Sequence, residues 1–195
     1  LNTISRKYIM DVSNLAMIAL YPDEESKQRL ADYLNYEPDS VDANELHLTL
    51  VFLGETANLP ADIVDIVSGI EIDLPIDGVI TASALFGDQE TVTVFLIDSK
   101  QLIPAFVEFD AALWENGVPS ASEHGFIPHI TVGYGDIPFN HDDIRGLPVS
   151  FDRVELVMSG EHRVLWTSQM SQISQSIDMF QAILDRLQNG TVSSN

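Results

Sequence analysis

The chain has 195 residues, 45% of them hydrophobic, and a formal net charge of −21 from 30 acidic and 9 basic side chains. That length fits one domain or two small lobes, and that charge repels polyanions, which argues against a non-specific binder of DNA, long RNA or anionic membrane. Without a single cysteine there is no disulfide scaffold, no thiolate nucleophile and no Cys-type zinc site.

The acidity reads as a solvated surface. It leaves room for a small anionic substrate in a locally positive pocket, because salt screens charges beyond about 8 Å. No stretch approaches the ~18 consecutive apolar residues that would span a bilayer. The N-terminus lacks the apolar core of a secretory signal. The expected location is cytoplasmic, or particle-associated in a host cytoplasm if the source is a virus. The first residue is Leu rather than Met, which fits a fragment, a processed product or a piece of a longer polypeptide.

Residues 1–14 are polar and aperiodic and read as an arm. Leu15 to Leu20 is a short apolar run suited to a buried strand. Tyr21-Pro22-Asp23 ends it, and Asp23 is positioned to cap a helix running through Leu34, with Leu30, Tyr33 and Leu34 on one face. A loop covers 35–43, and a strand follows from about Leu46 to Leu53. Pro60 then opens a short helix with Ile63, Ile66, Val67 and Ile70 as its stripe. Residues 76–86 and 91–97 read as two strands joined by a turn at Gly87-Asp88-Gln89. A helix from about Pro104 to Trp114 buries Phe106, Phe109 and Leu113 and stops at Gly117. A strand near Ile127 to Tyr134 comes next, then strands at Val154–Met158 and Val164–Thr167.

Ile173, Ile177, Phe180, Ile183, Leu184 and Leu187 carry helical spacing, ended by Asn189-Gly190. Either this helix docks on its own domain or it mediates self-association or contact with a protein partner through 171–190. Residues 191–195 look frayed. The organisation expected is an arm at 1–14, a main domain at 15–170, and a helix with its tail at 171–195. The mixed order of strands and helices argues an α+β fold.

Two of these strands carry the chemistry. Asn44 to Gly54 contains His47-Leu48-Thr49, and Phe126 to Gly133 contains His129-Ile130-Thr131, 82 residues later. Side chains alternate along a strand, so each His shares a face with its Thr while the apolar neighbours take the other face. The duplicated H-x-T, the first followed by Phe-Leu-Gly and the second preceded by Phe-x-Pro, resembles the 2H phosphoesterase superfamily, and within it the LigT-like branch of RNA ligases and cyclic phosphodiesterases. The resemblance covers about Leu15 to Gln169. It implies two pseudo-symmetric lobes with antiparallel sheets around a central groove, helices outside, and the motif strands lining the groove.

Breaking a phosphodiester takes a proton from the attacking oxygen and gives one to the leaving oxygen. Imidazole suits both tasks, since its unperturbed pKa of about 6.5 lies near working pH. By resemblance His47 and His129 are the acid/base pair, and Thr49 and Thr131 hold phosphate oxygens. The sequence does not say which His is base. This chemistry needs no metal and no cofactor.

LigT-like members often carry Arg or Lys shortly after the second motif. Here Gly133-Tyr134-Gly135 stands in that place, so Tyr134 is a substrate-binding candidate as a hydrogen-bond donor only. Arg145, Arg153 and Arg163 lie downstream as other sources of charge, and nothing in the sequence chooses among them. His124, His141 and His162 have no motif company. Tyr21 and Phe126 read as core or rim packing.

The expected activity is a metal-independent phosphodiesterase acting on a cyclic or 2′–5′ phosphodiester (a cyclic nucleotide, a cyclic oligonucleotide or a 2′,3′-cyclic phosphate end), with a small nucleotide or cyclic phosphate as its partner. The alternative is an assembly module of the same fold mounted on a larger complex such as a viral particle, with catalysis secondary or absent.

Overall fold

The computed structural model describes residues 14–34, 39–87, 91–122, 124–137 and 139–190. All but Asn14 of the expected arm, the tail 191–195, and Asp88 and Gln89 of the expected turn lie outside them. The elements are β1 (Leu15–Pro22), α1 (Glu24–Leu34), β2 (Leu48–Glu55), α2 (Ile63–Ser68), β3 (Ile76–Phe86), β4 (Val92–Asp98), α3 (Leu102–Glu115), β5 (His129–Tyr134), α4 (His141–Ile144), β6 (Pro148–Met158), β7 (Glu161–Thr167) and α5 (Ser168–Gly190). The fold is of the expected α+β class.

Local chemistry sets the boundaries. Asp23 accepts from the backbone N–H of Ser26 at 2.7 Å, which caps α1 as its sequence foretold. Past the end of α3, Gly117 adopts φ +75° and the N–H of Val118 returns to the carbonyl of Leu113 at 2.9 Å, a left-handed helix stop. Ser159 and Gly160, at φ 52° and 77°, make the tight turn between β6 and β7. Both of those strands run longer than their apolar runs suggested.

Every strand pairing is antiparallel, in the order β2-β1-β6-β3-β4-β5, with β7 also on β6. β6 is the joint. One edge pairs with β1 over Phe151 to Met158, while the other is shared: Pro148 to Phe151 pair with β3, and Arg153 to Met158 pair with β7. The sheet thus divides into a limb β2-β1-β6-β7 and a limb β5-β4-β3. Ile18, Leu20, Leu48, Leu50, Phe95, Ile130, Phe151 and Leu156 meet Leu30 and Leu34 of α1, Val67 of α2 and Phe109 and Leu113 of α3 in one buried core.

The outermost strands, β2 and β5, touch. The chain entering each motif strand first crosses to the other one. Before β2, the N–H of Val41 donates to the carbonyl of Val132 at 2.9 Å, and the N–H of Tyr134 donates to the carbonyl of Asp39 at 3.0 Å. Before β5, the N–H of Ala121 donates to the carbonyl of Phe52 at 2.8 Å. The glycine that closes each motif lies where the opposite segment passes. A Cβ on Gly54 would sit 3.0 Å from Cβ of Ala121, and one on Gly133 would collide with Ile137 and lie 3.0 Å from the carbonyl oxygen of Asp39.

α5 is docked only at its start. Its first turns are tied down: Ser171 is buried, its hydroxyl donates to the carbonyl of Ile72 at 2.9 Å, and Gln175 donates to Asp73 at 3.3 Å. Beyond them the apolar stripe is not docked on the domain. Ile173, Ile177, Phe180, Ile183 and Leu184 are all exposed.

Candidate active site

His47 stands immediately before β2, at the end of a 3-10 turn spanning Ala43–Glu45 whose start Asp42 caps through the N–H of Asn44 at 2.8 Å. Its Nδ1 lies 2.7 Å from the carbonyl oxygen of Glu45. His129 opens β5, and its Nδ1 lies 2.7 Å from the carbonyl oxygen of Ile127. In both cases the partner is the carbonyl two residues back. A carbonyl only accepts, so Nδ1 carries the hydrogen in each ring, and Nε2 of the neutral form holds the lone pair.

Each ring also rests against an aromatic residue from its own limb. Tyr21 of β1 is 5.8 Å from His47, and Phe86 of β3 is 4.9 Å from His129, centroid to centroid. Thr49 pairs with Ala19 across β1–β2, and Thr131 pairs with Val94 across β4–β5. Both threonines are partly buried, and the Thr49 hydroxyl makes one long contact of 3.5 Å among the described residues, to the sulfur of Met17.

Burial pushes the pKa of His47 below the usual 6.5; its bond to the Glu45 carbonyl offsets part of this, and the charges of His162 and His129 add to the lowering. The charge of His129 on β5 thus bears on His47 beside β2, the strand that β5 touches.

Tyr134 is exposed at the end of β5, opposite Val92. A register shift between Thr93 and Val94 interrupts the alternation there, so Tyr134 shares the face of Thr131, which pairs with Val94. Phe126 packs on Phe106 of α3, rings stacked at 4.6 Å, which is the rim packing expected of it. His124 is exposed on the loop before β5, and Arg145 and Arg163 are exposed as well.

Sequence reasoning passed over a cluster beside His47. Tyr21 is 3% exposed, and its hydroxyl lies 3.2 Å from Nδ1 of His162. Glu155, also buried, lies 2.8 Å from the same Nδ1 through Oε2 and 2.6 Å from Nε of Arg153 through Oε1. Burial, with the Glu155 carboxylate next, raises the Tyr21 phenol well above its usual range, so it stays neutral at any working pH. Arg153, His162 and Glu155 lie more than 100 residues from His47, and only the register of β1 with β6 and of β6 with β7 brings them to it.

The model of the 2′-5′ RNA ligase superfamily matches residues 22–145. The chain belongs to this superfamily. Membership accords with the duplicated motif and supports a phosphoesterase, a protein of phosphodiester cleavage or ligation. Solved structures of the superfamily share the fold. TT0787 of Thermus thermophilus is 19% identical, with 80% of this chain and 98% of that one covered and a TM-score of 0.59. E. coli LigT complexed with phosphate is 18% identical, with coverage of 77% and 92% and a TM-score of 0.53. Kluyveromyces marxianus Usb1 is 10% identical, with coverage of 80% and 99% and a TM-score of 0.51. No curated protein matches the chain significantly. Among the described residues no helix is long and apolar enough to cross a membrane.

Proposed function

We propose that this superfamily member is a phosphodiesterase that needs no metal and acts on a small cyclic or 2′–5′ phosphodiester: a cyclic nucleotide, a cyclic oligonucleotide or a 2′,3′-cyclic phosphate end. The observation that carries the reading is the hydrogen bond made twice, from Nδ1 of His47 to Glu45 and from Nδ1 of His129 to Ile127, each at 2.7 Å. It orients both rings and engages Nδ1 of each, which supports Nε2 as the atom that would move protons.

His47 is the base and His129 the acid. The lowered proton affinity of His47 favours its neutral form, which is the form able to accept. Nε2 of His47 takes a proton from the attacking water as the new O–P bond forms. The bond from phosphorus to the leaving oxygen breaks, and Nε2–H of His129 gives that oxygen its proton. Solvent exchange then returns both rings to their starting states. Thr49 and Thr131 donate to the non-bridging oxygens, whose charge changes on the way to the transition state. That LigT, of the same fold, has been crystallised with phosphate is in keeping with an anion at this place.

A small substrate suits the charge of −21, which opposes long polyanions. Purified protein, assayed with EDTA on 2′,3′-cyclic nucleotides and on cyclic di- and trinucleotides, should release the opened or linear product. Activity that survives both His47→Ala and His129→Ala would rule this mechanism out.

A further inference from the structure

Tyr21, Arg153, Glu155 and His162 form one connected group on the wall beside His47, and the reaction above does not use it. The Tyr21 ring is the hub: 5.8 Å from His47, 5.8 Å from His162, and 5.1 Å from the guanidinium carbon of Arg153. The contact from Nε of Arg153 to Glu155 is an ion pair without hydrogen-bond alignment. A buried carboxylate needs a counter-charge, and Arg153 already supplies one. For neutralisation alone His162 is surplus. Its side chain is half exposed while its Nδ1 is engaged from two sides, by Glu155 and Tyr21. That arrangement fixes an imidazole's orientation and leaves Nε2 over.

We propose that His162 is a third working imidazole of this site: held at Nδ1 by Glu155 and Tyr21, it shares the Tyr21 ring as a neighbour with His47 and hinders His47 from taking up a proton. It is a positioning residue, not a catalytic one. The proposal rests on the phosphodiesterase reading only for its effect on rate. A proton on His162 opposes one on His47, which matches the sense of its influence there. The other titratable or charged groups facing this pair are Tyr21 from β1, Glu45 from the turn before β2, His129 from β5, and Arg153 and Glu155 from β6. Of these, His129 acts on His47 in the same sense as His162, and Glu45 in the opposite one.

The test is a titration of the histidine ring signals by NMR, on the full chain without substrate, in the parent and in His162→Gln. His162 is half exposed near the β6–β7 turn, so the variant keeps the fold. The His47 signal should titrate at higher pH once His162 is gone. Tyr21→Phe, which keeps the ring and frees one hold on Nδ1, should move it the same way by less. In a phosphodiesterase assay the acidic limb of kcat/KM should follow. A His47 titration that stays put in His162→Gln overturns the proposal. A chain inactive on every diester would instead undo the functional reading and leave the titration to be judged by itself.

Discussion

Gly133 leaves Asp39 room to pass: its absent Cβ would lie 3.0 Å from that carbonyl oxygen and collide with Ile137 besides. The Asp39 carbonyl accepts from Tyr134, so this crossing is part of what holds the segment before β2 against β5. Gly133→Ala should therefore push the two limbs apart where their motif strands touch. Overpacking of this kind costs about 1–3 kcal/mol. Thermal unfolding should show a lowered midpoint, and diester hydrolysis should drop by more than the unfolded fraction explains. An alanine variant of parental midpoint and parental rate would mean that the crossing does not register the site.

Each motif histidine should matter by itself. General acid or base catalysis contributes roughly 10²- to 10⁴-fold, so His47→Ala and His129→Ala should each lower kcat/KM by that much. The double variant should fall well short of the product of the two losses, because acid and base act in one transition state. Both rings are held by backbone carbonyls rather than by other side chains, so circular dichroism and unfolding should change little. A fully multiplicative double variant would point to two separate sites.

The two motifs were readable because the strand period of two and the residue types sit within eleven residues of chain. Asp23 as a cap and Gly117 as a stop were readable for the same reason, since each acts on a neighbour within five residues. What could not be read lay in the register. Tyr21 read as core or rim packing, and it is buried, while His162 read only as a histidine without motif company. They meet only because Leu20 pairs with Val154 and Val157 pairs with His162 across two further strands. The helical spacing of α5 was equally plain, but spacing marks an apolar face without saying whether anything covers it. Ile173 and Phe180 turn out uncovered.

The threonines can be separated from the histidines by the kinetic parameter they touch. Valine matches threonine in shape and lacks the hydroxyl. The Thr49 hydroxyl stands to lose a long 3.5 Å contact to Met17, so Thr49→Val should fold as the parent does. If the hydroxyls serve oxygens whose charge develops in the transition state, each valine variant should lower kcat, by up to about 10²-fold, with KM little changed. A rise in KM at constant kcat would make them ground-state holders of the phosphate.

The lowered proton affinity of His47 also fixes the sign of two pH effects. As the base it must be neutral, so kcat/KM should rise with pH through a midpoint below the usual 6.5 and be on its plateau by neutrality. If His47 were the acid, the rate would instead fall through that midpoint and little activity would remain at pH 7. Stability follows by linkage. Between the lowered folded value and about 6.5 the unfolded chain binds the proton that the folded chain refuses. The contribution of His47 is therefore complete above 6.5, declines as pH drops through that window, and levels off below the folded value. The urea midpoint of the parent, taken relative to that of His47→Gln at the same pH, should fall as pH drops through this range. A difference between them that stays constant with pH would mean that His47 titrates alike in the folded and unfolded chain, and the assignment of His47 as base would lose its physical ground.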